Sequence, residues 1–407
     1  MKEIAVTLLG EKDHGKSTLI GNMLIATGSA TKERVAEAKR AGGAGFEPAF
    51  VLDSFTYERK RRMTLDTTRA QINFKDAIIS FIDVPGHLEL INNALGGASG
   101  AEIAIVMVSA KEGEGFQKQT KRHIFIANML GMRGIFIAVN KMDALGYRRE
   151  RFDRIKDEIS GYMEEIGFEG HIEFIPVSAY GNENIITKSK KMGWYGGGPL
   201  VERIYNFFSA IGSAQAGEGT RMVVQDTMEL GGKDAAMGML YYGRIRVGDR
   251  VRIEPSGREA VIGRIHSNGK ETKSTSAVRN IAVEFDGDAG RLERGDILYG
   301  KDERPWQKGR FTALIYMTGK PKQGSGLTLR FNNTDFRANR LEITRFSDAT
   351  SAWKESKAGQ RLKANTAFEG EVTLDKDPPV EKFSKYRELG RFSIYSDNDF
   401  CGFGIVR

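Results

Sequence analysis

Residues 10–18, with the sequence GEKDHGKST, have the spacing of a loop that binds phosphate groups. They follow an apolar run and precede a helical pattern, which is the setting that such a loop requires. Backbone N–H groups of the loop would surround a pyrophosphate, Lys16 would reach the β and γ phosphates, and Ser17 would face Mg²⁺. A helix that begins near Lys16 would add its N-terminal dipole to this anion site. The predicted phosphate-binding residues are Asp13, His14, Gly15, Lys16, Ser17 and Thr18.

The motif DVPGH ends a second apolar run and supplies candidates for the γ-phosphate end of the site. Asp83 can hold the Mg²⁺ shell, and the Gly86 N–H can contact the γ-phosphate because no side chain blocks the approach. His87 is the candidate catalytic residue that orients the attacking water. Thr64 is the candidate second hydroxyl on Mg²⁺. It lies in a segment, 50–67, that we predict to fold over the nucleotide and to be released on hydrolysis.

The motif NKMD follows the fourth apolar run and predicts which base is bound. The Asp143 carboxylate can accept two hydrogen bonds from N1–H and the exocyclic amine of guanine, whereas adenine offers neither donor on that edge. Lys141 would lay its stem along the purine, and Asn140 would connect the loops. Ser178 and Ala179 would supply a backbone N–H for guanine O6. The predicted cofactors are therefore GTP or GDP with Mg²⁺.

The bulk composition limits the class of protein. A chain of 407 residues is long for one core and predicts two or three domains. We expect no membrane segment and no signal peptide, and the single cysteine, Cys401, excludes an intrachain disulfide. These features favour the cytoplasm. The net charge of +8 favours an anionic partner such as RNA, although a solvated face explains the basic run at 59–62 equally well.

The order of apolar runs predicts an α/β P-loop domain followed by two β domains. Up to residue 208, apolar runs alternate with helical patterns, which indicates a mainly parallel sheet with helices on both faces. Residues 209–220 are small, polar and glycine-rich and are predicted as a linker. Period-two alternation then predicts a β-barrel over 221–302 and a second β-barrel domain over 303–407. The predicted strands are 4–9, 78–82, 103–108, 135–139, 174–177, 250–253, 280–285, 311–317, 327–331, 341–346, 369–374 and 390–395.

The chain resembles the translation GTPases of the elongation factor 1-alpha and Tu family. The segments that carry the resemblance are DHGKST, GAGFEPAFVLD, ERKRRMTLD, DVPGH, NKMD, VSAYGNENI, WYGGGPL and, near the end, VEKFSKYRELGRF. The resemblance implies a GTPase domain and two β-barrels, with slow hydrolysis until a partner orders the site. It also implies a monomer that delivers an aminoacyl-tRNA, or a related RNA-bearing or protein adaptor, to the ribosome, with a nucleotide exchange factor as a further partner.

Two other interpretations remain open. The GTPase subunit of sulfate adenylyltransferase shares this architecture, and the segments RHIFIANMLG, LGYRRERFDRI and FTALIYMTG resemble it as much as they resemble the elongation factors. Its phosphate loop usually reads DDGKS, whereas His14 follows the translation pattern. A nucleotide-gated binding module with little hydrolysis is the third interpretation.

Three positions around the predicted γ-phosphate depart from the family pattern. In the family, a valine and an isoleucine form an apolar gate that keeps the catalytic histidine from water. Lys12 occupies the position of the valine, and Met63 occupies that of the isoleucine. Arg62 replaces a glycine. We expect these changes to alter how hydrolysis is regulated.

A candidate cargo pocket in the first barrel is only partly like that of the family. His266 and Asn280 match family positions near the amino acid and the terminal adenosine. The acidic member of that pocket is replaced by Arg264. Since a guanidinium only donates hydrogen bonds and a carboxylate only accepts them, we expect the bound group to differ.

Overall fold

The computed structural model divides the chain into two compact units. Unit 1 comprises Met1–Gly212 with Ala349–Trp353, and unit 2 comprises Ser213–Asp348 with Lys354–Arg407. The structure describes residues 2–42, 48–49, 51, 68–83, 103–168, 170–211, 219–230, 233–277, 279–322, 324–332, 334–351, 353–356 and 362–407.

Unit 1 is an α/β domain built on one mixed sheet. Within the described residues, six strands pair in the order β2-β3-β1-β4-β5-β6, and only β2 runs antiparallel to its neighbour. The strands are β1 Lys2–Gly10, β2 Thr68–Phe74, β3 Ala77–Asp83, β4 Ile103–Ser109, β5 Gly134–Asn140 and β6 His171–Pro176. The helices are α1 Lys16–Ala26, α2 Lys32–Gly42, α3 Lys118–Met129, α4 Arg149–Glu165 and α5 Leu200–Ile211, and a 3₁₀ turn spans Met142–Leu145.

The predicted fold of this unit is confirmed. Every residue of β4 and β5 is buried, because the central strands of a mainly parallel sheet are covered on both faces. Strand β2 was missed from the sequence. It is an edge strand in which buried residues such as Ile72 alternate with exposed ones such as Gln71, so it contains no continuous apolar run.

Helix α5 ends at Ile211, so the first three residues of the predicted linker are helical. Its Phe207 ring stacks on the His171 ring, with 4.5 Å between the ring centroids, and meets the Phe136 ring edge-on, with 5.7 Å between the centroids. This packing holds the helix on the sheet. Ala210 then continues it readily, because alanine has the highest helix propensity.

The first part of unit 2 is a closed β-barrel. Strands pair in the order β10-β15-β7-β8-β14-β11, and a further pairing of β10 with β11 closes the ring, while β12 adds to β11. A core that includes Val224, Ile262 and Val283 fills the interior. The strands are β7 Arg221–Leu230, β8 Lys233–Tyr242, β9 Arg244–Arg246, β10 Arg250–Glu254, β11 Arg258–Ser267, β12 Lys270–Thr272, β13 Ser274–Ser276, β14 Arg279–Asp286 and β15 Ile297–Gly300.

A second closed barrel follows, which confirms the predicted fold class. Its strands pair in the order β18-β23-β24-β17-β21-β19, and β18 also pairs with β19. Cys401 lies in the core of this barrel, where burial raises the pKa of its thiol to about 11. The strands are β16 Gln307–Lys308, β17 Arg310–Met317, β18 Leu327–Phe331, β19 Thr334–Ser347, β20 Lys354–Glu355, β21 Thr366–Leu374, β22 Pro379–Val380, β23 Arg391–Ser396 and β24 Asp399–Val406.

A buried guanidinium joins the two barrels of unit 2. The side chain of Arg221 is 4% exposed, and its Nε donates to Glu381 Oε1 at 2.7 Å. The same guanidinium pairs with Glu303 and lies over the rings of Tyr299 and Tyr386, at 4.3 and 4.5 Å from their centroids. The contact therefore satisfies a buried charge with groups from both barrels.

A second buried ion pair joins the barrels. The Glu254 carboxylate, which is fully buried, accepts hydrogen bonds from Lys308 Nζ and Arg252 Nε, each at 2.7 Å. Since Lys308 lies in β16 and Arg252 in β10, this carboxylate also depends on both barrels for its partners.

No helix among the described residues combines the length and the apolar composition that crossing a bilayer requires.

Candidate functional site

The predicted phosphate loop leaves β1 at the carboxyl edge of the sheet and leads directly into α1. Lys16 Nζ donates to the carbonyl oxygens of Gly10 and Glu11, at 2.8 and 2.9 Å. The first turn of α1 has neither an acidic residue nor a side-chain cap. The positive end of the helix dipole is thus not neutralised from within its own first turn, as an anion site requires.

Gly15 and Asn140 lie in contact where the phosphate loop meets the end of β5. Gly15 has φ +93°, and a Cβ atom there would lie 2.4 Å from Asn140 Nδ2. Asn140 Nδ2 donates to the His14 carbonyl at 2.8 Å, and Asn140 Oδ1 accepts from the Ala179 N–H at 2.7 Å. One buried side chain therefore connects the phosphate loop to the loop after β6.

The remaining residues of the phosphate loop differ in what their side chains contact. His14 is buried, and its Nδ1 lies 3.1 Å from the Met107 carbonyl oxygen, so its ring faces β4. Asp13 is exposed with φ +65°, while Ser17 and Thr18 are half-buried in the first turn of α1. The loop therefore offers phosphate groups its backbone, Lys16 and hydroxyl groups, but not the imidazole.

The predicted base-binding residues meet at the ends of β5 and β6. Ser178 Oγ donates to Asp143 Oδ1 at 2.5 Å, which holds the carboxylate beside the loop of Ala179. Lys141 has φ +63°, and its Nζ lies 2.7 Å from Glu114 Oε2. The Lys141 ammonium and the Asp143 carboxylate are therefore each held by a polar partner, Glu114 and Ser178 respectively.

The other predicted members of this site are only partly described. Asp83 ends β3, where the backbone pairs it with Leu8 of β1, two residues before the phosphate loop. Thr64, Gly86 and His87 lie outside the described residues. Lys12 is exposed, and its expected neighbours Met63 and Arg62 also lie outside them.

The candidate cargo residues lie on the outer face of the first barrel. His266 of β11 and Asn280 of β14 alternate with core residues of the same strands, so their side chains face away from the barrel interior. His266 Nε2 lies 2.8 Å from Glu284 Oε1, and Glu284 is directly opposite Arg264 in the strand register. Asn280 lies two residues before Ala282 in β14, and Ala282 is the register partner of His266.

Glu284 places a carboxylate beside Arg264, the residue that stands at the acidic position of the family. Its side chain is only 4% exposed, and one carboxylate oxygen lies 3.7 Å from Arg264 Nη1. The acid is supplied by the neighbouring strand β14, while the arginine occupies the position on β11. The pocket therefore contains both a carboxylate and a guanidinium.

Comparisons with known proteins agree with this geometry. The chain matches the family described as "Elongation factor Tu GTP binding domain" over residues 1–214 and the "GTP-eEF1A C-terminal domain-like" family over residues 310–407. Elongation factor 1-alpha of Hyperthermus butylicus is 30% identical, over 99% of this chain and 95% of that protein. The corresponding protein of Pyrobaculum islandicum is 31% identical, over 96% of this chain and 90% of its own. The chain belongs to the elongation factor 1-alpha and Tu family of translation GTPases.

A solved structure of Sup35 complexed with GMPPNP aligns with 100% of this chain and 93% of its own, at 21% identity and a TM-score of 0.46.

This translation GTPase binds GTP and GDP through unit 1 and hydrolyses GTP. The resemblance that the motifs indicated is thereby confirmed. Of the predicted nucleotide-site residues that are described, those of the phosphate loop, the end of β5 and the loop after β6 lie along one edge of the sheet. This is the edge at which α/β folds bind their ligands.

Three polar residues around these sites were missed from the sequence. Asn22 of α1 is buried and donates to the Ala179 carbonyl, and Glu114 pairs with Lys141. Asn22 could have been detected from the sequence, because it is an amide inside the apolar run IGNMLIA. Glu284 could also have been detected, because the period-two alternation of β14 places it on the same strand face as Asn280. Glu114 carried no signal, because its partner is 27 positions away.

Proposed function

We propose that this GTPase delivers an RNA-bearing cargo, an aminoacyl-tRNA or a related adaptor, to the ribosome in the cytoplasm. GTP hydrolysis would release the cargo by changing the conformation of segment 50–67. The protein would act as a monomer and recover GTP with the help of an exchange factor. The observation that carries the proposal is the polar cluster on the outer face of the first barrel, formed by Arg264, His266, Asn280 and Glu284.

The nucleotide end of the proposal includes Mg²⁺ and a catalytic histidine. Magnesium is commonly held by one or two protein oxygen atoms together with phosphate and water, and Ser17, Asp83 and Thr64 supply oxygen donors of this kind. Bound there, Mg²⁺ would neutralise charge on the phosphates. We assign to His87 the orientation of the attacking water. Hydrolysis would be slow until a partner orders these residues.

The cargo end rests on His266, which is held by Glu284 and keeps 30% of its side chain exposed. The carboxylate fixes the orientation of the ring, so the exposed edge of the imidazole can meet a ligand in one geometry. Arg264 is 59% exposed and separated from Glu284 by a long 3.7 Å contact, so it remains available to an anionic group.

An open groove of about 580 Å³ lies beside this cluster. Two of its lining residues are chain neighbours of the cluster, since Ser267 follows His266 and Arg279 precedes Asn280. Hydroxyl, amide and basic groups of this kind suit phosphate oxygens. The groove is lined by Ser267, Asn268, Lys270, Thr272, Ser274, Thr275, Ser276 and Arg279.

Ribosome-stimulated hydrolysis tests the proposed delivery. Purified ribosomes with aminoacylated tRNA should raise the GTP turnover of the protein more than about tenfold, because a partner that orders the site accelerates hydrolysis by large factors in such enzymes. The measurement is phosphate release under single-turnover conditions. His87→Ala should bind GDP normally but lose the stimulation.

Two outcomes would contradict this proposal. Stimulation by an ATP sulfurylase but not by ribosomes would assign the protein to sulfate activation. Tight GTP binding without turnover under either condition would make it a nucleotide-gated binding module.

Salt-dependent RNA binding tests the groove separately. The double substitution Lys270→Ala with Arg279→Ala should weaken binding of aminoacyl-tRNA to the GTP-loaded protein and lower the salt slope of log K by about 2, since each phosphate contact contributes about 1. Fluorescence anisotropy over a range of KCl concentrations measures both quantities. Arg291→Ala with Lys301→Ala removes two exposed basic groups of the same barrel outside the groove and serves as the control. An equal loss in the control would show non-specific charge attraction only.

A further inference from the structure

The base-binding lysine is held in an unusual conformation. Lys141 has φ +63°, in the left-handed region that residues with a Cβ atom rarely adopt. Its side chain is 27% exposed, and its ammonium lies 2.7 Å from Glu114 Oε2. A long lysine side chain normally samples many rotamers, so a fixed ammonium needs a fixed partner.

Glu114 is itself fixed by the loop between β4 and α3. Its N–H donates to the Lys111 carbonyl at 3.2 Å, and its Oε1 lies 3.4 Å from Lys111 Nζ. The hydrogen bond from Lys141 is the largest cause, and that with Ser109 the second, of a pKa lowered to about 2 at Glu114. Glu114 is therefore a carboxylate at neutral pH.

This loop is attached to the base-binding edge of the sheet at its first residue. The Ala110 N–H donates to the Asn140 carbonyl at 2.7 Å, and Arg151 Nε of α4 donates to the Ala110 carbonyl at 2.9 Å. Asn140 is the neighbour of Lys141 in the chain. The position of Glu114 relative to the base-binding loop is thus determined by contacts that do not involve the lysine ammonium.

We propose that Glu114 is a positioning residue that holds the Lys141 stem against the purine and thereby slows the release of GDP and GTP. With the ammonium anchored on Glu114, the four-carbon stem is drawn along one path, and its apolar surface is presented to the base. Without Glu114 the lysine must be ordered each time a nucleotide binds, and that ordering opposes binding. The inference rests on Lys141 contacting the base.

Dissociation of a fluorescent GDP analogue measures the effect. Glu114→Ala should speed release about tenfold, because the variant loses one charge-assisted hydrogen bond and no longer orders the Lys141 side chain. Glu114→Gln should speed it only about threefold, because the amide oxygen still accepts from the ammonium but without charge. Glu112→Ala is the matched control, an exposed acid two residues away in the same loop, and should release GDP at the wild-type rate.

A double-mutant cycle separates positioning from general support of the fold. If Glu114 acts through Lys141, then Lys141→Ala and the double variant Lys141→Ala with Glu114→Ala should release GDP at the same rate. Thermal melting of unit 1 in the full chain checks that the variants remain folded. If Glu114→Ala does not fold, Glu114→Gln still tests the inference.

Either of two results would overturn the inference. One is wild-type release from folded Glu114→Gln and Glu114→Ala proteins. The other is a further acceleration when Glu114→Ala is added to Lys141→Ala. Failure of the base assignment itself would be recognised differently, by guanine binding that does not depend on Asp143.

The carboxylate also predicts how the effect responds to pH. A carboxyl whose folded-state pKa is lowered to about 2 keeps its interaction at all higher pH values and loses it only as the pH falls through that value. The ratio of release rates between Glu114→Gln and the wild type should therefore be constant from pH 5 to pH 8.

Discussion

Asp143→Asn should convert the protein from a guanine-nucleotide binder into a xanthine-nucleotide binder. The carboxylate would accept hydrogen bonds from two guanine donors, whereas an amide would accept from N1–H and donate to the xanthine carbonyl at the same edge. Loss of two charge-assisted hydrogen bonds should weaken GDP binding by at least roughly a hundredfold. Titration of the wild-type and variant proteins with GDP and with xanthosine diphosphate measures both preferences.

A matched control is Asp153→Asn, an exposed aspartate of α4 that pairs with Arg149 at 3.0 Å. It should leave both affinities unchanged. Ser178 Oγ donates to Asp143 and would still find an oxygen in the asparagine, so the loop after β6 should keep its position. If Asp143→Asn still bound GDP tightly and gained nothing toward xanthine, the carboxylate would not read the base.

Arg221→Met should destabilise unit 2 by about 3–5 kcal/mol, because removing one partner of a buried pair leaves the other charge without compensation. Methionine keeps much of the volume between Tyr299 and Tyr386, so the loss reports the charge of Glu381 and not a cavity. Urea denaturation of the full chain, followed by a probe in the barrels, measures the shift of the transition.

The control for this prediction is Arg310→Met, which removes an exposed guanidinium paired with Glu371 on the surface of the second barrel. Exposed pairs contribute about 0–1 kcal/mol, so this variant should be close to the wild type. The double variant Arg221→Met with Glu381→Leu should recover most of the loss. Equal effects of Arg221→Met and Arg310→Met would disprove the role of the buried pair.

The effect of Arg221→Met should also depend on pH. Burial raises the pKa of Glu381, and Arg221 acts in the opposite direction. Without Arg221 the folded-state pKa of Glu381 rises further above its unfolded value. A carboxyl of this kind destabilises the folded protein increasingly as the pH rises through the interval between the two values. We therefore expect the variant to lose less stability at pH 5 than at pH 7.

The strands of both barrels were only partly predictable. Runs such as 250–253 and 280–285 alternate clearly and lie within β10 and β14. Strand β8 was missed because its sequence KDAAMGMLYY has no such alternation and contains Gly238. That glycine is required by packing, since a Cβ atom there would lie 1.9 Å from the Val223 carbonyl oxygen of β7.

The nucleotide chemistry was readable from sequence because its motifs are short and act largely through the backbone. The spacing of residues 10–18 and the motif NKMD specify a loop, a helix start and a carboxylate whatever surrounds them. Such local rules need no knowledge of distant parts of the chain. They were sufficient to indicate the family, the guanine base and the domain class.

Tertiary structure alone decided which groups support those motifs. Asn140 bonds to His14 across 126 positions, Lys141 to Glu114 across 27, and Arg221 to Glu381 across 160. Each pair depends on strand order and on the register of a sheet or the meeting of two barrels, and no local periodicity encodes such a pairing. For the same physical reason, the pairing of Glu284 with Arg264 follows from the register of β11 and β14 and not from the sequence of either strand.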